Sequence, residues 1–315
     1  MRAARLHEYG DFAGITVEEV EEPLPGEGEI SLRVQAAGVN PVDWKVVQGI
    51  FSGGEPLAEP RGLGVDVAGI VERVGPGVAG VGPGEELLGS PIGPSFAELA
   101  LSRPELLVKR PPGVSWEVAG SLAVVAGTAY ATLARLDLTA GETLLILGAS
   151  GGVGSVAVQL ALAQGIRVIG TAGPSKLEQV GSLGAIPVAY GDGLEERLAL
   201  VAPEGVDAAL DASGHGELEA AVALAGGPQR VLSIASAADA QAHGVAFHGG
   251  GGGELLVRAL QEVLPLIEAG SFHFPIAGVY DLGQVGEALR ESEHGHPAGK
   301  LVIVPRQGQP GTVGG

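Results

Sequence analysis

The chain of 315 residues contains no cysteine. Disulfide bonds, thiolate zinc sites and cysteine nucleophiles are therefore all excluded. Aromatic residues make up only 4% of the sequence, while hydrophobic residues reach 45% and glycine numbers 54, so the core must be built from Ala, Val, Leu and Ile. The length is sufficient for two domains, each with its own core.

Basic residues are scarce too: 18 Lys and Arg stand against 37 Asp and Glu, and the net charge is −19. Such a chain does not attract DNA or an anionic membrane, so we expect neither as a partner. An acidic surface that merely keeps the protein soluble explains the same charge. The start, MRAARLHEYGDF, has two arginines without an apolar run behind them. It does not resemble a signal peptide, and we expect a cytoplasmic location.

Residues 143–165, TLLILGASGGVGSVAVQLALAQG, carry no charge, and three explanations compete. A membrane span needs about 20 apolar residues in one helix. The ASGGVG in the middle breaks a helix instead of continuing it. TLLIL is short and β-prone, and SVAVQLALA has helical length, so strand, glycine turn and helix are predicted. Burial of a parallel strand and its covering helix accounts for the lack of charge.

Two site chemistries suit a strand–turn–helix. The residues 148–152 fit the G-x-S-x-G pattern of a hydrolase with Ser150 as nucleophile, for which Asp211 with His243 or His248 can be nominated. Residues 149–154 also fit the dinucleotide pattern G-x-G-x-x-G, apart from Ala149 at its first glycine. The second and third glycines of that pattern then allow approach to a pyrophosphate and close packing of the helix on the strand.

The segments that follow favour the dinucleotide explanation. IRVIGTA (166–172), VDAALDAS (206–213) and QRVLSIAS (229–236) are further buried strands separated by helical segments. This βαβ series predicts an α/β fold with a doubly wound parallel sheet of the Rossmann type. The helix N-terminus after the turn offers free N–H groups to phosphates. The cofactor-binding residues predicted from these segments are Ser150, Gly151, Gly152, Val153, Gly154, Ser213 and Ile234.

Residues 1 to about 118 have short strands and frequent Gly/Pro turns, which predicts a β-rich domain. AAGVNPVDWKVVQG (36–49), GVDVAGIVERVGPGVAGVGPGEELLG (64–89) and GASGGVG (148–154) resemble the medium-chain dehydrogenase/reductase superfamily, and so does the tail from Gly270 to Val304. The resemblance implies a GroES-like catalytic domain at 1–118 and 262–315 around a Rossmann domain at 119–261, with the cofactor in the cleft between them. RQGQPGTVGG at 306–315 is expected to be disordered.

The superfamily's zinc alcohol dehydrogenases carry a G-H-E element whose histidine binds catalytic zinc. Here the matching residues are Gly64, Val65 and Asp66, and valine cannot bind a metal. The chain therefore resembles the zinc-free quinone oxidoreductase (zeta-crystallin-like) branch. That branch reduces quinones or activated enone double bonds with a nicotinamide cofactor, without metal. The alternative is a protein that binds NADPH without catalysis, either crystallin-like or a sensor. Such a protein needs the same pocket as the enzyme, so the sequence does not distinguish the two.

Four residues are predicted on the substrate side. Asn40, the only asparagine, and Lys45, one of four lysines, are candidate catalytic donors to the acceptor oxygen. Trp44 and Phe51 are candidate substrate-binding residues. Structural roles compete with each: Asn40 capping a turn, Lys45 pairing with Asp43, and Trp44 in the core. Asp66 is expected to tie down the turn after GLGV.

The remaining predictions concern the cofactor and assembly. The family resemblance places Thr128 beside the nicotinamide ribose, and His248 is a loop residue that can approach the nicotinamide. No acid follows the glycine turn until Glu178, so the usual anchor for the NADH ribose is missing, and NADPH is predicted. Because family members pair through an edge strand, we expect a homodimer joined by GVAFH (244–248). The predicted contacts of the 2′-phosphate are Ser175, Lys176 and Tyr190.

Overall fold

The computed structural model describes residues 1–250, 252–295 and 299–305. The chain divides into two compact units. The first consists of Met1–Val124, Leu260–Ala269 and the residues from Phe274 onward; the second consists of Val125–Ala259 and Gly270–His273. The sequence-based boundaries lie at 118/119 and 261/262. The tail at 306–315, for which disorder was predicted, lies outside the described residues.

Strands and helices are numbered along the chain. The strands are β1 (Arg2–Leu6), β2 (Ile15–Glu19), β3 (Ile30–Gly38), β4 (Arg61–Gly62), β5 (Val67–Val74), β6 (Glu86–Gly89), β7 (Leu99–Ser102), β8 (Leu107–Lys109), β9 (Thr143–Leu147), β10 (Arg167–Ala172), β11 (Ile186–Ala189), β12 (Ala208–Asp211), β13 (Val231–Ser233), β14 (Ala246–Phe247), β15 (Ile276–Tyr280) and β16 (Lys300–Ile303). The helices are α1 (Pro41–Val47), α2 (Trp116–Leu136), α3 (Gly152–Ala163), α4 (Leu177–Ser182), α5 (Leu194–Val201), α6 (Leu218–Leu224), α7 (Ala237–Ala242), α8 (Glu254–Glu268) and α9 (Val285–His294).

The first unit is β-rich. One sheet has the order β2-β1-β4, and a larger sheet has the order β15-β16-β3-β5-β6-β8, with β7 also paired to β3. Most pairings are antiparallel, and β16 joins the larger sheet beside the end of β3. This pairing places the C-terminal strand Lys300–Ile303 next to the loop that begins α1. The predicted β-rich domain is therefore confirmed in its secondary structure.

The second unit is built on one parallel sheet. Its order is β11-β10-β9-β12-β13-β14, and every pairing within it is parallel. Counted from β9, this is the order 3-2-1-4-5-6 of the Rossmann fold, so the predicted doubly wound sheet is confirmed. The chain leaves β9 to one side and returns as β12 on the other, and at such a switch point the carboxyl ends of the strands open into a crevice.

Burial explains the composition of the second unit's strands. Leu144, Leu145, Ile146 and Leu147 of β9 have no exposed surface, because helices cover both faces of a parallel sheet. The strand thus has a continuous apolar run instead of an alternating pattern. The apolar helix α2 has the length and hydropathy of a membrane span, but 72% of its apolar window is buried within the protein, as in a core helix.

Candidate functional site

The predicted glycine turn connects β9 to α3. Gly148 follows the strand with φ +78°, a conformation that side chains other than glycine rarely adopt. Gly151 caps α3, and a Cβ on Gly154 would lie 2.2 Å from the carbonyl oxygen of Gly148. Close packing of the helix on the turn therefore requires glycine at 154, as the motif predicts.

Ala149, which departs from the motif, is accommodated by the neighbouring strand. Its side chain is fully buried, and a Cβ on Gly170 of β10 would lie 2.6 Å from the Ala149 methyl carbon. The amide of Ala149 donates to the Thr171 carbonyl at 2.8 Å, and the amide of Gly148 donates to Thr171 Oγ1 at 3.1 Å. Thr171 thus fixes the turn on β10, and Gly170 leaves room for the extra methyl group.

The start of α3 presents N–H groups at the carboxyl edge of the sheet. Ser155 makes the first helical hydrogen bond, to the Gly151 carbonyl at 2.9 Å. The amides of Gly152, Val153 and Gly154 precede it and belong to the positive end of the helix dipole. This arrangement of a narrow glycine turn and helix amides fits a pyrophosphate.

The end of β12 lies against the same turn. An ideal Cβ on Gly148 would lie 3.1 Å from the Ser213 Cβ. Asp211 accepts hydrogen bonds from Ser213, Gly214 and Ser233, and its carbonyl accepts the Ile234 amide at 2.9 Å. The structure therefore groups the predicted residues Ser213 and Ile234 with the glycine turn through Asp211.

The hydrolase alternative fails on the same contacts. Within the described residues, no hydrogen bond joins Asp211 to Ser150, His243 or His248. His243 Nδ1 instead contacts the Asp239 carbonyl at 2.9 Å. An acid that is already occupied by serines and backbone amides does not orient a catalytic histidine.

Of the predicted nicotinamide-side residues, Thr128 lies near Gly250, two positions beyond His248. Thr128 of α2 is buried, and its Oγ1 lies 3.8 Å from an ideal Cβ on Gly250. The His248 amide donates to the Ser233 carbonyl at 2.9 Å. His248 Nε2 is buried without a hydrogen-bond partner in the described part of the chain, and burial, together with Arg135, lowers the pKa of this imidazole. A buried ring nitrogen of this kind can still receive a ligand contact.

The predicted 2′-phosphate residues lie at the ends of β10 and β11. Ser175 is exposed, and partial burial lowers the pKa of the Lys176 ammonium. The Tyr190 hydroxyl oxygen lies 3.3 Å from an ideal Cβ on Gly173, which precedes these two residues. The Tyr190 amide donates to the Ala172 carbonyl at 3.1 Å. The structure thus brings the three predicted residues together at one edge of the sheet.

In the first unit, Asn40 joins a buried polar cluster. Its carboxamide oxygen accepts from Lys300 Nζ at 2.7 Å, and its Nδ2 donates to Asp66 Oδ2 at 2.8 Å and to the Gly38 carbonyl at 3.2 Å. Lys300 also donates to the Val39 carbonyl at 2.7 Å. An ammonium on one side and a carboxylate on the other permit only one orientation of the amide group.

The two acids of this cluster have different partners. Asp43 accepts the Asn40 amide at 2.8 Å at the start of α1, and the nearby Gly64 amide lowers the pKa of its carboxyl group. Asp66 accepts the amide of Val124 in α2 at 2.8 Å. Burial raises the pKa of Asp43 to about 7 and raises that of Asp66, whereas it lowers the pKa of Lys300. Asp43, Asp66 and Lys300 are each buried, so their charges are compensated mainly within the cluster.

These contacts change the interpretation of two sequence-based assignments. Asn40 is 1% exposed and uses both amide hydrogens, so it has none to offer an acceptor oxygen in this arrangement. Asp66 accepts hydrogen bonds from Asn40 and from the Val124 amide of α2, and neither donor belongs to the turn after GLGV. The Nζ of Lys45 lies 5.6 Å from the ring centroid of Trp44.

Trp44 and Phe51 differ sharply in exposure. Trp44 packs against the core of the first unit, and its indole nitrogen is buried without a hydrogen-bond partner there. Phe51 is 63% exposed. The core role of Trp44, which competed with substrate contact, is the one that this packing favours. Phe51 stays a predicted substrate contact.

Sequence reasoning missed Lys300 as part of a polar site. The residue stands in the tail segment GKLVIV, 260 positions from Asn40. The signal available in the sequence was that the chain has only four lysines. Lysine is seldom buried, so its position inside the apolar segment GKLVIV was unusual. Asp43 carried a second signal, because an acid three residues after the residue that caps a helix is a common feature of helix starts.

The histidine that binds zinc in the G-H-E element of alcohol dehydrogenases is replaced here by Val65. Val65 stands between Gly64 and the buried Asp66, whose two carboxylate oxygens accept from Asn40 and Val124. Among the residues that the structure describes, no group of three or more His, Cys, Asp or Glu side chains is placed to hold a metal ion.

Comparison with known proteins supplies an independent view. The family model for the alcohol dehydrogenase GroES-like domain matches residues 26–137, and the model for zinc-binding dehydrogenases matches residues 183–303. A chloroplastic NADPH-dependent alkenal/one oxidoreductase of Arabidopsis thaliana is 32% identical, with 94% of this chain and 78% of the relative covered. A chloroplastic quinone oxidoreductase of Triphysaria versicolor is 31% identical, with 97% and 98% covered.

Solved structures agree with these relatives. The quinone oxidoreductase of Coxiella burnetii superposes with a TM-score of 0.85 at 25% identity, and the match covers 97% of this chain and 99% of that one. The match therefore includes nearly all of both units.

Proposed function

The chain belongs to the medium-chain dehydrogenase/reductase superfamily, and on that premise we propose that it is an NADPH-dependent reductase of quinones or of activated enone double bonds. The observation that carries this proposal is the glycine turn at the switch point of the parallel sheet. There Gly154 approaches the Gly148 carbonyl so closely that a Cβ would lie 2.2 Å from it. This is the geometry that admits a pyrophosphate to a helix N-terminus.

Residues of the second unit would hold NADPH along the carboxyl edge of the sheet. The amides of Gly152, Val153 and Gly154 would receive the pyrophosphate, and Ser213 and Ile234 border the same turn. Ser175, Lys176 and Tyr190 would bind the 2′-phosphate, while Thr128 and His248 would line the nicotinamide end. These assignments stay predictions from sequence that the geometry supports.

The chemistry asks little of the protein's own acids and bases. When bound, NADPH supplies a hydride to an acceptor that is already electrophilic. Negative charge then develops on a carbonyl oxygen of the acceptor, and water can protonate the product, so the protein has to position the acceptor and offer a hydrogen-bond donor. Asn40 is committed to Lys300 and Asp66, which leaves Lys45 as the donor named from sequence.

Turnover of candidate acceptors tests this function. The protein is incubated with NADPH and a panel of quinones and enones, and loss of reduced nicotinamide absorbance is recorded. We expect oxidation with at least one class. Tight NADPH binding without oxidation of the cofactor across the panel would instead favour the non-catalytic binding protein. Ester cleavage that disappears in Ser150→Ala would favour the hydrolase.

We also propose that the protein is a homodimer that pairs through β14. This two-residue strand ends the parallel sheet, and Phe247 in it is 41% exposed. Edge strands with exposed apolar side chains favour pairing with another copy. Light scattering of the unsubstituted protein should give twice the chain mass of 31.5 kDa. Phe247→Lys should lower the measured mass toward that of a single chain. A particle of the single-chain mass for the unsubstituted protein would overturn this proposal. A cytoplasmic location is likewise a proposal, to be checked by cell fractionation.

A further inference from the structure

A short loop of the second unit has four successive backbone carbonyl groups bound by one arginine side chain. Residues 189–192, here named the Tyr190 loop, begin with the last residue of β11 and lead toward α5. Arg197 of α5 directs its guanidinium at the loop's carbonyl oxygens. Nε donates to Ala189 at 2.9 Å, Nη1 to Asp192 at 2.7 Å, and Nη2 to Gly191 at 3.0 Å and Tyr190 at 3.3 Å. One side chain thus binds four successive carbonyl groups.

An acid also lies beside the Tyr190 loop. Glu217, just before α6, is close enough to the Gly191 amide and to Ser213 for both to lower the pKa of its carboxyl group. Burial raises the pKa of this carboxyl group, while the nearby His215 lowers it. A loop whose carbonyls face a cation and whose amide faces a carboxylate has little freedom to move. Its backbone is therefore set before any ligand arrives.

This arrangement serves the position of one side chain. The Tyr190 hydroxyl oxygen lies 3.3 Å from an ideal Cβ on Gly173, next to Ser175 and Lys176. On the other side, the His215 ring lies 5.8 Å from the Tyr190 ring, centroid to centroid, at an interplanar angle of 32°. His215 is exposed and is itself held by Ser213 Oγ, which accepts its amide at 3.3 Å. The phenol thus lies between Gly173, just ahead of Ser175 and Lys176, and the His215 ring.

We infer that the Tyr190 loop is a preorganised element for recognising an adenosine 2′-phosphate, with Arg197 as its positioning residue and His215 as a specificity-determining neighbour of the tyrosine ring. The inference rests on the proposed use of NADPH. Arg197 acts through Tyr190, because its Nε, Nη1 and Nη2 all donate to the loop's carbonyl oxygens. Preorganisation lowers the entropic cost of ordering a binding loop, so its loss should weaken the contact that the loop makes.

Lysine cannot replace arginine in this task. An ammonium is a single centre with three donors, whereas the planar guanidinium spreads its donors widely enough to reach four carbonyl groups. Arg197→Lys should therefore behave like Arg197→Ala, although it preserves the charge. Arg167 offers the matched control: its Nη2 makes one hydrogen bond, to the Val201 carbonyl at 2.8 Å, in the same unit.

The test is calorimetric binding of adenosine 2′,5′-bisphosphate and of 5′-AMP, which differ only in the 2′-phosphate. The quantity measured is the ratio of their dissociation constants. In the Arg197 variants we expect the preference for the bisphosphate to fall about five- to tenfold, with 5′-AMP affinity changed less than about twofold. Arg167→Ala should keep the preference of the unsubstituted protein.

Two further variants keep the inference testable if the Arg197 variants do not fold. Tyr190→Phe removes only the hydroxyl group, and His215→Ala alters an exposed side chain; each should reduce the same ratio. In a double-mutant cycle, Arg197→Ala should add little to Tyr190→Phe, because both act on one contact. If Arg197 has a purely structural role, its variants should weaken the binding of both ligands by the same factor or of neither. In both cases the ratio of dissociation constants stays unchanged, and that result overturns the inference. No preference in the unsubstituted protein would instead contradict the use of NADPH.

Discussion

Lys300 Nζ lies 2.7 Å from Asn40 Oδ1, and the two residues are 260 positions apart in the chain. The contact joins the last strand, β16, to the residue that precedes α1. Through the same carboxamide, Lys300 is connected to Asp66, whose other oxygen binds α2. The buried cluster therefore fixes the start of α1, the helix that carries Trp44 and Lys45 and leads toward Phe51.

Lys300→Met should destabilise the first unit strongly. The substitution leaves two buried acids without their cation and two acceptors without a donor. Removing one partner of a buried ionic group costs about 3–5 kcal/mol in the free energy of unfolding. Urea denaturation measures this loss, and Lys109→Met, which breaks an exposed pair with Glu85, is the control. Adding Asp66→Asn to Lys300→Met should recover part of the stability, because it removes a buried charge that has lost its cation. Equal stability of the two lysine variants would contradict the role assigned to the cluster.

The stability of the protein should carry a pH dependence that originates at Asp43. Its pKa is about 7 in the folded protein, against an ordinary value of 3.8, so the folded state binds the proton more tightly. This contribution is therefore fully present near pH 4 and is lost as the pH rises through 7. At about 1.4 kcal/mol per pKa unit, the loss is at most about 4 kcal/mol.

Asp43→Asn isolates this contribution. The variant keeps an acceptor for the Asn40 amide but cannot ionise beside Asp66. Unfolding free energies of both proteins are compared from pH 5 to pH 8. The difference should move in favour of the variant as the pH rises. Parallel curves would show that Asp43 does not titrate in this window.

Gly154→Ala should abolish binding of NADPH and destabilise the second unit. The new methyl group would lie 2.2 Å from the Gly148 carbonyl oxygen, so α3 must move away from the turn. Overpacking of this kind costs about 1–3 kcal/mol or more. Gly181→Ala in α4 is the matched control, because its nearest neighbour lies at 3.7 Å, and alanine there should add about 0.5–1 kcal/mol of stability. Cofactor binding is followed by fluorescence titration. Undiminished binding by Gly154→Ala would remove the turn from the site.

Lys176→Ala should separate the two nicotinamide cofactors. Loss of one ionic contact to the 2′-phosphate raises the KM for NADPH roughly tenfold, equivalent to about 1.4 kcal/mol, and leaves NADH nearly unaffected. Steady-state kinetics with both cofactors measure the effect. A preference of the unsubstituted protein for NADH, or equal weakening of both cofactors by the variant, would show that Lys176 does not contact a phosphate.

Activity should not depend on zinc. Valine at position 65 cannot bind the metal, and the chain has no thiolate to replace it. Elemental analysis should find no stoichiometric zinc, and treatment with a chelator should leave the rate of NADPH oxidation unchanged. One tightly bound zinc ion per chain would contradict the zinc-free assignment.

Local pattern was sufficient to predict the second unit. TLLIL was predicted as a strand and corresponds to Thr143–Leu147, and the strands in IRVIGTA, VDAALDAS and QRVLSIAS are all present in the parallel sheet. The apolar run, the glycine turn and the following helix are each encoded within a few residues. Boundaries were less accurate: α3 begins at Gly152, inside the glycine motif, because its amides start the helix as soon as the turn is complete.

The polar cluster could not be predicted in the same way. Its members lie on β16, α1 and the segment before β5, and only the folded sheet brings them together. A rare residue such as Asn40 can be recognised as special from the sequence, but not which neighbours occupy its hydrogen bonds. The hydrogen bonds of Arg197 to the Tyr190 loop could not be predicted for a different reason. In the sequence, an arginine within a short amphipathic helix resembles any solvated surface residue.

Ala149 and Gly170 occupy the volume of a single methyl group between two strands. The glycine that the motif lacks in the turn after β9, at Ala149, is thus matched by a glycine on the neighbouring strand β10, at Gly170. Substitutions at these two positions should be mutually dependent: a Cβ on Gly170 would lie 2.6 Å from the Ala149 methyl carbon and 2.9 Å from Val180 Cγ1, so Ala149→Gly should relieve part of the steric clash that Gly170→Ala creates. Along the sequence, alanine at 149 is a departure from the motif. Across the paired strands, the glycine at 170 provides the space that this alanine needs.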